Sequence, residues 1–156
     1  MKTLVIGLGN PLIADDSVGL RVVAELQPLL AGRDDVDVGE DYWGGLRLME
    51  RMVGYDRAIV IDAICTGAEP GTIHRISPGD LPTQRSASAH DVNLSTALEL
   101  GRRAALPLPR DEDILIFGIE AQDVMSFCEQ CTPEVRAVVP RVVQMVLAAL
   151  GVAEET

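Results

Sequence analysis

A chain of 156 residues with 47% hydrophobic side chains has the size of one domain and material for one substantial core, so a single domain over residues 1–156 is expected. Its 13 basic against 24 acidic residues give a formal net charge of -11, which disfavours nucleic acid and anionic membrane surfaces as partners through long-range repulsion. The apolar stretch after Met1 and Lys2 closes at Gly7 and Gly9, too soon for a signal-peptide core, and no later run has spanning length; with three cysteines read as reduced thiols, a cytoplasmic protein is expected.

Lys2 to Leu8 is aliphatic and β-branched, a strand that Gly9-Asn10-Pro11 stops. A loop runs on to Asp16. Ser17 is placed to cap a helix in which Val18, Val22, Val23, Leu26, Leu29 and Leu30 recur at helical spacing. A weaker strand around Val36 to Val38 leads through Gly44-Gly45 into a second helix near Leu46 to Val53. The continuous hydrophobic run from Ala58 to Ile61 has the pattern of a strand covered on both faces, and it ends at Asp62. Thr72 to Ile76 reads as a further strand. The small residues Ser86 to Ala89 lead into a helix from about Asp91 to Arg103, and Ile114 to Phe117 makes another strand. Finally Thr132 can cap a helix that has Pro133 in its first turn, Val135 to Leu150 on one wide apolar face, and a kink expected at Pro140. Strands alternating with helices predict a parallel or mixed sheet with helices on both faces, an α/β fold in three layers. Ligands of such sheets bind beyond the carboxyl ends of the strands.

Four residues near that edge can carry chemistry. Asp15 and Asp16 follow the first strand, Asp62 closes a buried one, and His90 opens a helix. Two carboxylates and an imidazole from separate loops suit a borderline divalent ion such as zinc or nickel, with positions left open for a substrate. Each has a plainer reading. An aspartate before a helix serves the helix dipole, a turn amide can satisfy Asp62, and His90 can simply start its helix. His74, between Ile73 and Arg75, reads as a surface residue. Cys128 and Cys131 form half of a C-x-x-C site whose other half is missing, and nothing in the sequence brings Cys65 or His74 near them, so they read as ordinary thiols. Trp43, the one tryptophan, suits either a core or a partner-binding surface. Gly7-Leu8-Gly9 lacks the third glycine of a dinucleotide turn, and Asp15 and Asp16 put negative charge where a phosphate would sit.

The run GLGNPLIADDSVGLRVVAEL resembles the N-terminal signature of the nickel-iron hydrogenase maturation endopeptidases, and the resemblance continues at IVIDAICTGAEPGTIHRI, SAHDVNLSTALEL and IFGIEAQDVMSFCEQCTPEV. It implies a mixed, mostly parallel five-stranded sheet between helices. It also implies removal of a C-terminal peptide from a hydrogenase large-subunit precursor, after a His or Arg beside the last metal-ligating cysteine motif, with the substrate's nickel as recognition element and no organic cofactor. The family's metal-contacting positions fall on Asp16, Asp62 and His90. Asp16 stands where glutamate is common, Ser17 where glycine is frequent, and Glu40-Asp41-Tyr42-Trp43-Gly44-Gly45 replaces a more usual aspartate-glycine-glycine-threonine stretch. With two histidines and no nucleophile triad, the chemistry open to these residues is a carboxylate acting as general base on a metal-polarised water. Two rivals use parts of the same pattern. Peptidyl-tRNA hydrolases share GLGNP, but Leu12 to Leu20 here holds no histidine or arginine; a non-catalytic metal-sensing or chaperone-like module would use the same three ligands.

Overall fold

The computed structural model describes residues 1–80 and 93–152. In chain order they form β1 (Thr3–Leu8), α1 (Val18–Leu30), β2 (Val36–Asp41), α2 (Gly45–Met52), β3 (Arg57–Ile64), β4 (Ile73–Ile76), α3 (Leu94–Arg103), β5 (Ile114–Glu120) and α4 (Pro133–Ala149). The strands make one five-stranded sheet in the order β2-β1-β3-β5-β4. All neighbours are parallel except β4, which runs antiparallel to β5 at the edge.

The expected three-layer α/β/α fold with its mixed, mostly parallel sheet is thus the one observed, and its two cores follow strand parity. Val5, Ile59, Ile61, Phe117 and Ile119 face α1 and α4, whereas Leu4, Ile6, Ala58, Val60 and Ile116 face α2 and α3. Fully buried side chains such as Leu26 and Ile59 each contribute about 1.5 to 3 kcal/mol of burial energy. The chain leaves β1 to build β2 on one side and β3 on the other. The order therefore reverses between β1 and β3, which makes their carboxyl ends the place where a crevice can open.

Several local expectations change. β3 does not stop at Asp62 but pairs with β5 as far as Ile64. Ser17 caps nothing: it lies in a 3-10 turn from Asp15, and its hydroxyl donates to the Ala14 carbonyl at 2.7 Å. At α3 the described helix starts at Leu94, where the Asn93 side chain accepts from the Thr96 amide at 2.9 Å. Asp91 lies outside the described residues. α4 is assigned as one helix through Pro140. Among the described residues, no helix is long and apolar enough to cross a membrane.

Candidate active site

Asp16 and Asp62 meet across the switch between β1 and β3 because glycines let backbone touch backbone there. A Cβ on Gly19, in the first turn of α1, would lie 2.3 Å from the Ile61 carbonyl oxygen and 2.6 Å from that of Leu8. Only glycine allows the helix start to seat directly on the two strand ends. Gly9, with φ of +147°, likewise has its missing side chain 2.0 Å from the Asp16 carbonyl oxygen. The turn that carries Asp16 is held against the strand row that carries Asp62.

The two adjacent aspartates have opposite fates. Asp15 is buried, and its carboxylate accepts the Gln122 amide at 2.8 Å, the Asp123 amide at 2.9 Å, the Thr132 amide at 2.6 Å and the Thr132 hydroxyl at 2.8 Å. Thr132, expected as a helix cap, spends its hydroxyl on this cage instead. Asp15 is therefore a clasp that joins the loop after β1 to the loop after β5. Asp16 turns the other way and, among the described residues, accepts a single hydrogen bond, from the Asn10 amide at 2.8 Å. Burial raises its carboxyl above the ordinary aspartate range, and the Asn10 bond offsets only part of that.

Asp62 is shifted further. Desolvation first, and then the negative charge of Asp16, push its carboxyl up to about 7 against one opposing hydrogen bond, from the Ala63 amide at 2.8 Å. Two carboxylates on facing elements, each short of donors and each raising the cost of ionising, form a site that a cation or a shared proton would relieve. Their oxygens fit a hard or borderline divalent ion as two members of a ligand set. Among the described residues no group of three His, Cys, Asp or Glu side chains can hold a metal ion alone. The third residue named from the sequence, His90, lies outside the described residues.

Two other buried acids at this edge are well supplied with donors. Asp41, at the end of β2, is buried; burial pushes its carboxyl up, but Arg47 at 2.8 Å, the Tyr42 amide and Arg51 at 3.1 Å outweigh it and hold it below the usual range. Glu120, 2% exposed at the end of β5, is held low in the same way by the Thr66 hydroxyl and amide and by His74 Nε2 at 3.3 Å, against burial. His74 is thus half-buried and paired, not a surface residue. Sequence reasoning missed both carboxylates, although each ends a strand as Asp62 nearly does.

The remaining candidates separate. Cys131 is buried beside the Ser17 hydroxyl at 3.6 Å, and burial pushes its thiol up, away from the thiolate a metal needs. Cys128 is exposed. Trp43 is not a core residue: it is 53% exposed beside an equally open Tyr42, at the carboxyl end of β2.

The family model described as "Hydrogenase maturation protease" matches residues 20–149. The chain is 29% identical over 155 residues to the "Hydrogenase expression/formation protein HupD" of Rhizobium leguminosarum bv. viciae, covering 97% of this chain and 77% of that protein. It is 28% identical over 153 residues to the "Hydrogenase 2 maturation protease" of Escherichia coli (strain K12), covering 96% and 91%. Among solved structures, the hydrogenase maturating endopeptidase HybD from E. coli superposes with a TM-score of 0.80 at 26% identity, over 97% of this chain and 93% of that one.

Proposed function

This chain belongs to the hydrogenase maturation protease family, a family of peptide-bond hydrolases, and from that premise we propose that it removes a C-terminal peptide from the nickel-loaded large-subunit precursor of a nickel-iron hydrogenase. The observation that carries the proposal is the donor-poor Asp16–Asp62 pair at the carboxyl edge of the sheet, with Asp62 raised to about 7. Nickel arrives as part of the substrate. Asp16, Asp62 and His90 are the residues that would contact it, offering two carboxylates and one imidazole with positions left open. Such a set has no thiolate and holds nickel less firmly than a cysteine-rich centre, so it can inspect the ion without extracting it.

The pair also suits the hydrolytic step. A carboxyl titrating near neutrality is matched to accept a proton from the attacking water and to return it to the departing amide nitrogen. The peptide carbonyl gains the hydroxyl of that water, and the amide bond breaks. The Asp15 clasp fixes the turn in which Asp16 sits, so the carboxylate is oriented before substrate arrives.

The test is a mass measurement. The purified chain is mixed with nickel-loaded large-subunit precursor, and the precursor should lose the mass of a short C-terminal peptide. Tight association with no loss of mass would instead mark a non-catalytic metal-sensing or chaperone-like module and end the proposal.

A further inference from the structure

Outside the carboxylate pair, the most unusual surface lies on the two loops that Asp15 clasps. Phe127 is 88% exposed and Met125 82% exposed, with Leu12 open beside them. Large apolar side chains grouped in the open mark an interaction site more often than ones scattered singly. Their backbone is well held. Asp123 Oδ1 accepts the Met125 and Ser126 amides, each at 2.9 Å, the Ala14 amide donates to the Ser126 carbonyl at 3.2 Å, and the Cys128 amide donates to the Leu12 carbonyl at 3.0 Å. Ile13 and Phe127 are antiparallel bridge partners within this short ribbon. The Arg21 guanidinium holds the Glu129 carbonyl from α1. A rigid backbone therefore displays the three side chains, which lowers the ordering cost of a partner binding to them.

We propose that Leu12, Met125 and Phe127 form a docking edge for the substrate protein, receiving an apolar segment of the large-subunit precursor next to the bond to be cut. The inference rests on the peptidase function given above. The occupant follows from continuity with the site: Leu12 lies four residues before Asp16, the Leu12 amide binds Asn10, and the Asn10 amide binds Asp16. The patch and Asp16 thus share one loop, so a protein chain bound at Asp16 has this edge within reach.

The measurement is steady-state processing of nickel-loaded precursor by the parent, by the double variant Met125→Ser/Phe127→Ser, and by Leu29→Ser, which alters a half-exposed leucine at the far end of α1. Truncating interface anchors of this kind should raise KM roughly tenfold with kcat little changed. The melting temperature should stay at the parent value, since the replaced side chains bury almost nothing. Leu29→Ser should leave KM unchanged. An unaltered KM in the double variant, or an equal rise in Leu29→Ser, overturns the docking edge while leaving the function intact. So does a parent dimer that the double variant breaks, because the patch would then serve a second copy of the chain. A parent that cleaves no nickel-loaded precursor fails the function itself, and this inference with it.

Discussion

Carboxylates gather at the carboxyl edge of this sheet in two kinds. Asp15, Asp41 and Glu120 are buried and surrounded by donors: amides and a threonine for Asp15, arginines for Asp41, and Thr66 with His74 for Glu120. Asp16 and Asp62 accept one amide each, and the charge of Asp16 adds to the cost of ionising Asp62. Burial alone does not mark a functional acid. The mark is burial without compensation, which an enzyme keeps only where a substrate or ion completes the set. Asp15 and Asp16 make the contrast at adjacent positions, one spent on architecture and the other withheld from it.

Removing one acid of each kind should have different consequences. Asp62→Ala should lower processing at least about a hundredfold with the fold intact, because on the proposed function the lost group contacts the substrate, and it is itself short of donors. Asp15→Ala should lose activity by a different route, since four part-buried donors lose their acceptor, at a cost of about 3 kcal/mol. Thermal melts separate the two. If Asp62→Ala unfolds while Asp15→Ala melts like the parent, the roles are reversed and the assignment is wrong.

A smaller effect, on stability against pH, sharpens the same contrast. The Asp62 carboxyl has a folded value of about 7 against 3.8 for the unfolded chain. Between those values the native state binds more protons than the unfolded one, so stability falls as pH rises through this window. The penalty is absent below about pH 4 and complete above about pH 7, with an upper bound of roughly 4 kcal/mol. Asp62→Asn keeps an acceptor for the Ala63 amide and removes the charge. It should match the parent in urea unfolding near pH 4 and exceed it near pH 8; equal midpoints at both would show that Asp62 ionises without strain. Processing by the parent should also decline as pH drops below 7, as a ligand or base becomes protonated.

The least expected effect belongs to the cysteines. Replacing Cys128 and Cys131 by serine should leave processing within about threefold, since one thiol is exposed and the other is a core side chain with a raised pKa. Stoichiometric zinc in the purified parent, lost from the double variant, would mean that the pair binds metal after all.

Much of this was legible in the sequence. Ala58 to Ile61 reads correctly as a doubly covered strand, and the Val18 to Leu30 stripe as a helix, because periodicity is local. Asp15, Asp16 and Asp62 are candidates because a carboxylate beside a buried strand is conspicuous without any partner in view, and only the family resemblance points to Asp16 rather than Asp15. Illegible was which carboxylates are paired. Thr132 lies 117 residues from Asp15, and Thr66 lies 54 from Glu120, so no local pattern announces either bond. His74 was misread for the same reason, its partner being brought in by an antiparallel edge strand. Trp43 eluded the reading because the one tryptophan of a chain is as easily a core residue as an open one.

On the proposed function, the Asp16–Asp62 pair, with His90, inspects nickel carried by the substrate. The decisive comparison is processing of nickel-loaded and nickel-free precursor by the metal-free parent and by His90→Ala. The parent should cut the loaded form and leave the nickel-free form essentially whole, and His90→Ala should be strongly impaired on the loaded form. Efficient cleavage of nickel-free precursor, or an unimpaired variant, would contradict the account.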